Sequence, residues 1–132
     1  MADAAPVRAG RPRPSGGFEL YTWVFMRVSG LVLVLLALGH LAIMHLINSV
    51  DNIDFQFVAR RYATPFWKAY DLAMLILALL HGCNGLRTVI EDYCHRPALR
   101  VAFLSALYVA CFAFVVLGSL VILMFQPSAF AK

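Results

Sequence analysis

Three long stretches without Lys, Arg, Asp or Glu constrain this chain more than any other feature: residues 28–47, 72–86 and 101–125 of 132. As a helix, the first covers about 30 Å, the thickness of a bilayer hydrocarbon core. The third is longer and is followed by Pro127, which ends it. The second is shorter, about 22 Å as a helix, and needs its flanks to cross. Phe66, Trp67, Lys68 and Tyr70 supply an interfacial belt at one end, while Thr88, Val89 and Ile90 extend the other. Pro65 suits a first helical turn. The expected fold is therefore all-α, an integral membrane three-helix anchor with spans at about 28–47, 66–90 and 101–125. Only 14% of the residues are charged and 62% are hydrophobic, against about a quarter charged in soluble domains. A soluble enzyme or nucleic-acid binder is excluded, and three spans leave no room for a nucleotide fold or catalytic domain.

The N-terminal segment contains Arg8, Arg11, Arg13 and several Pro and Gly residues but no apolar run, so it does not read as a secretory signal. Residues 1–17 are expected to be a flexible basic tail and residues 18–132 the membrane anchor. Residues 18–27, FELYTWVFMR, hold enough aromatics for an interfacial lead-in helix. Short loops are expected near 48–65 and 91–100. With the N-terminus cytoplasmic, that side carries Arg8, Arg11, Arg13, Arg27, Arg87, Arg96 and Arg100. The other side carries Arg60, Arg61, Lys68 and Lys132. The excess favours N-terminus in, C-terminus out; a cell inner membrane is the expected location.

Cys83, Cys94 and Cys111 lie 11 and 17 residues apart, which is not a metal-ligand spacing. They read as free thiols, with Cys83 and Cys111 packing between helices.

Ionisable or metal-ligating residues inside a span are functional candidates. His81 lies ten residues before Glu91, about 15 Å below the end of its helix. Asn84, Gly85 and Thr88 follow at helical spacing on one face. A histidine with glycine four residues on leaves a flat recess beside a neutral imidazole, an arrangement that suits a haem. The same residues equally suit a polar contact between closely packed helices. His40 and His45 stand five positions apart, about 140° around an α-helix, and do not readily share a metal. His45 lies near the outer interface. His40 is placed at or beyond mid-membrane, as a helix-packing residue or a second ligand across from His81.

At the cytoplasmic boundary, Arg27 and Ser29 open the first span, and Arg87, Glu91, Asp92 and Tyr93 close the second. Such a cluster is ordinarily a charged membrane rim, but it can also receive a quinone headgroup. Tyr93 can donate a hydrogen bond to a carbonyl, Arg27 or Arg87 can stabilise negative charge, and Asp92 can pass protons. Arg27 can equally pair with a haem propionate. Arg60 and Arg61 are expected to anchor to lipid headgroups or to pair with Asp51 and Asp54.

Taken together, FMRVSG at 25–30, LLHGCNGLRTVIEDY at 79–93 and the three spans resemble the small membrane-anchor subunit of succinate dehydrogenase. The resemblance covers residues from about 18 to 125. Its most specific element is His81, Gly85 four residues later, then Asp92–Tyr93. It implies respiratory complex II, an electron-transport enzyme of the tricarboxylic acid cycle. The anchor pairs there with a second membrane-anchor subunit, and the two hold one haem b. An iron–sulfur subunit and a flavoprotein subunit complete the complex. By the resemblance, His81 is an axial ligand of the haem iron and Arg27 lies near the propionates and quinone. Tyr93 bonds the quinone (menaquinone or ubiquinone), Asp92 is the adjacent acid, and this chain contains no succinate site. His40 receives no role from it. Ser29 and Arg87 stand as weaker candidates for the same site. A fumarate reductase anchor, a cofactor-free membrane adaptor, or a channel subunit using His40 and His81 are the competing readings.

Overall fold

Residues 17–126 are described by a computed structural model, and among them the chain forms four α-helices and no strand. Helix α1, Phe18–Leu41, runs without a break into a π-helical turn, Ala42–Ile47. A 3-10 turn at Val50–Asn52 leads to the short α2, Phe55–Tyr62, then α3, Pro65–Tyr93, and α4, Pro97–Met124. Three stretches are long and apolar enough to cross a membrane: Phe18–Ile47, Pro65–Tyr93 and Pro97–Met124. The Arg-rich segment lies outside the described residues apart from Gly17, as do Pro127 and Lys132.

The helix boundaries have local causes. Pro65 and Pro97 each occupy the first turn of their helix, where the missing N–H costs nothing. Each forces the preceding residue out of helical geometry. Thr64 sits at φ −99°, ψ 123° and Arg96 at φ −82°, ψ 119°. Asp54 caps α2, its carboxylate accepting from the Phe57 N–H at 2.7 Å. The π-helical turn closes on Asn48, whose side-chain amide donates to the Ile43 carbonyl at 2.7 Å.

The lead-in helix expected at 18–27 is present and runs on as the first turns of α1, because FELYTWVFMR contains no Pro or Gly to interrupt the helix. One expectation is corrected. The expected loop at 48–65 contains α2, whose C-terminal end is held against the end of α4. Tyr62 meets the Phe125 ring edge-on at 5.5 Å, and Lys68 Nζ donates to the Phe125 carbonyl at 2.9 Å.

Helix α3 is the middle of the bundle and packs against α1 and α4. Its contacts with α1 run in antiparallel register: Ser29 meets His81, Leu36 meets Tyr70 and His40 meets Asp71. Burial is inverted relative to a soluble protein. Ala59 and Ile122 are the buried apolar residues among those described, whereas Ser29, Arg61 and Asp71 are all buried. In lipid, apolar side chains gain nothing by turning inward, while polar ones must find each other.

Candidate functional site

His81 is carried by α3 into contact with α1. Its Nδ1 shares a hydrogen bond with Ser29 Oγ at 2.8 Å, and Ser29 is only 2% exposed. The next residue explains the close approach. A Cβ at Gly30 would stand 3.3 Å from His81 Cε1, so glycine lets the ring edge lie against α1. The two ring nitrogens point in divergent directions, so Nε2 faces away from Ser29. No hydrogen bond engages Nε2 among the described residues.

The face expected to hold Asn84, Gly85 and Thr88 together with His81 is divided by the packing. Gly85 turns to α1, where the Met26 methyl lies 3.7 Å from the position of its absent Cβ. The recess expected at that glycine is therefore covered by Met26. Asn84 and Arg87 instead line a cleft of about 430 Å³ with Tyr108 and Phe112 of α4 and Phe18 of α1. Thr88 bonds back to the Asn84 carbonyl at 3.1 Å.

The remaining rim candidates sit at the same end of the bundle but do not converge. Arg87 Nε donates to Glu91 Oε1 at 3.1 Å, and Arg100 Nη2 approaches the same oxygen at 3.7 Å. Arg27 folds over the Trp23 ring at 3.4 Å, on the helix face one turn from Gly30. Asp92 is exposed and Tyr93 is 79% exposed. Neither side chain makes a hydrogen bond or ion pair among the described residues.

A second polar cluster was not legible in the sequence. Arg61 Nη2 donates to Asp71 Oδ1 at 2.8 Å, and His40 Nδ1 lies 3.6 Å from that oxygen. The Arg61 guanidinium also stacks 4.3 Å over Trp67. Arg61 thus pairs with neither Asp51 nor Asp54. Asp54 is spent on capping α2, and Asp51 accepts from the Ser49 hydroxyl at 3.5 Å. The sequence signal for it is Asp71, an acid directly before the apolar run of α3. The register also corrects His40 as a ligand across from His81. It sits opposite Asp71, ten residues and about 15 Å along α3 from His81. Its neighbour His45 borders the same 500 Å³ cleft, with Met44 and Met74. The wider π-helical turn carries His45 back toward the His40 side.

Residues 9–117 match the model of a protein family described as the succinate dehydrogenase/fumarate reductase transmembrane subunit. The chain belongs to this family. It is accordingly a multi-pass membrane protein, and its three long apolar helices are the spans. The family match takes in Arg27, Ser29, Asp71, His81, Asp92 and Tyr93. A relative from Archaeoglobus fulgidus, described as a succinate dehydrogenase hydrophobic membrane anchor subunit, is 30% identical over 74 residues. That alignment covers 56% of this chain and 62% of the relative, so the chain spans somewhat under two thirds of that protein. For a transmembrane subunit of this family, the polar interior and apolar exterior form the expected inversion of a soluble fold.

Proposed function

We propose that this chain is the membrane anchor of a succinate:quinone oxidoreductase in a cell inner membrane, with its N-terminus cytoplasmic. His81 contributes one axial ligand to a haem b, and the end bearing Arg27, Asp92 and Tyr93 forms part of a quinone-reduction site. The supporting observation is the Ser29–His81 pair: Nδ1 is engaged at 2.8 Å while Nε2 is left without a partner inside a membrane span. Ser29 satisfies only one of the two ring nitrogens, so a histidine that merely joined two helices would leave the other unpaired at a cost inside the span. A ligand histidine characteristically uses its second nitrogen in this way to hold the ring. The donor set fits a haem: neutral imidazole at depth and a cation, Arg27, one turn toward the rim for a carboxylate.

When bound, a haem would supply one-electron redox chemistry. The chain's own groups then have separable tasks. His81 would hold the iron through Nε2, the ring nitrogen that Ser29 leaves free. Tyr93 donates a hydrogen bond to a quinone carbonyl, and Asp92 hands on protons drawn from the cytoplasm. Ser29, buried against His81, is withdrawn from the quinone, and Arg87 is committed to Glu91. The exposed Tyr93 is one wall of a pocket whose other walls belong to a second membrane-anchor subunit and the iron–sulfur subunit. A flavoprotein subunit oxidises succinate outside the membrane. The same parts can serve a fumarate reductase, because direction follows from the quinone potential.

The test is the reduced-minus-oxidised spectrum of the purified complex. A b-type band that is lost or strongly perturbed in His81→Ala is expected. An unchanged band removes His81 as a ligand and leaves a cofactor-free anchor as the reading.

A further inference from the structure

We infer that Ser29 is the positioning residue for His81: its oxygen accepts the Nδ1–H and thereby keeps Nε2 as the lone-pair nitrogen. This rests on the reading of His81 as an iron ligand. A neutral imidazole has one N–H, on either nitrogen. If Ser29 donated to Nδ1, the proton would lie on Nε2 and no metal could bind there. Coordination through Nε2 therefore requires Nδ1–H. Among the described residues, Ser29 Oγ is the acceptor within hydrogen-bonding reach of that nitrogen. The serine is 2% exposed, so water does not take over its role.

Two adjacent residues of α1 act on two adjacent atoms of the ring. Ser29 holds Nδ1 by a hydrogen bond, and Gly30 leaves the space that Cε1 enters at 3.3 Å from an absent Cβ. The FMRVSG segment thus works as a cradle that sets both the rotation and the tautomer of the imidazole. It has an electronic consequence as well. Accepting the Nδ1–H makes the imidazole a stronger donor, which favours the oxidised, more highly charged iron and lowers its potential.

Ser29→Ala and Ser29→Thr, each in the whole purified complex, separate this from a packing role. The readouts are the b-type band, the haem midpoint potential by redox titration and the low-temperature EPR spectrum. Ser29→Ala is expected to keep the band, shift the midpoint potential upward and change the EPR signal, with Ser29→Thr restoring both toward wild type. A band retained in Ser29→Ala with unchanged potential and EPR overturns the inference while leaving His81 ligation intact. Loss of haem in both variants also overturns it, since the hydroxyl would then not be what matters. Loss in Ser29→Ala with wild-type behaviour in Ser29→Thr supports it. A band unchanged in His81→Ala removes the reading beneath.

Discussion

Arg61 donates to Asp71 at 2.8 Å, joining the last turn of α2 to the second turn of α3, and both residues are buried. The pair ties a short amphipathic helix to a membrane span at the end of the bundle opposite Tyr93. Two further Arg61 nitrogens, Nε and Nη1, are buried without hydrogen-bond partners, and the Trp67 ring covers the guanidinium instead.

Removing one partner should therefore be costly. Asp71→Asn leaves a buried cation unpaired and is expected to destabilise the folded chain by about 3–5 kcal/mol. The double variant Arg61→Met/Asp71→Leu should recover most of that loss, because neither charge then needs compensation. Unfolding of the purified complex in detergent measures both. A double variant as unstable as Asp71→Asn would contradict this account.

Tyr62 supplies a pH prediction. Burial raises its phenol above the ordinary 10.0, and the Asp71 charge and hydrogen bond raise it further, with Arg61 opposing. The folded state therefore holds the proton more tightly than the unfolded one. The resulting stability is fully present below about pH 10 and is lost as pH rises through the higher folded value. Tyr62→Phe should flatten the alkaline stability curve. Asp71→Asn should move tyrosinate absorbance for Tyr62 to lower pH. A titration unmoved by Asp71→Asn would exclude the interaction.

The approach of α1 to α3 depends on Gly39. A Cβ there would stand 2.8 Å from the Tyr70 hydroxyl, which donates to the Leu36 carbonyl. Gly39→Ala should push Tyr70 aside and cost about 1–3 kcal/mol as an overpacked contact with a lost hydrogen bond. Gly39→Ala combined with Tyr70→Phe should cost less than the two separate losses added, since both act on one contact. Strict additivity in a double-mutant cycle would argue against it.

Tyr93→Phe removes a hydroxyl that has no partner within the described residues. It should lower quinone reductase activity of the complex by roughly 10-fold, the effect of about 1.4 kcal/mol of lost transition-state stabilisation. Succinate oxidation with an artificial acceptor should persist. Equal loss of both activities would point to an assembly defect.

Much of the architecture was legible along the chain. Pro65 and Pro97 mark helix starts because their rings forbid helical geometry in the residue before. The charge-free runs mark the spans because lipid tolerates no unpaired charge. His81 was conspicuous for the same reason. Less legible was α2, a helix of eight residues whose pattern is too short to distinguish from a loop.

By itself, then, the sequence determined three membrane-crossing helices, their approximate ends and a histidine stranded at depth. Only the tertiary structure decided which face of each helix meets another. It paired Ser29 with His81, turned Asn84 and Arg87 toward α4, and gave Asp71 to Arg61 rather than leaving that arginine to Asp51 or Asp54. The reason is the solvent. In water, apolar periodicity reveals the buried face of a helix, but in lipid an apolar side chain is equally content against a neighbour or an acyl chain. The packed faces are then chosen by the few polar groups that must find partners, and their meeting depends on register in three dimensions.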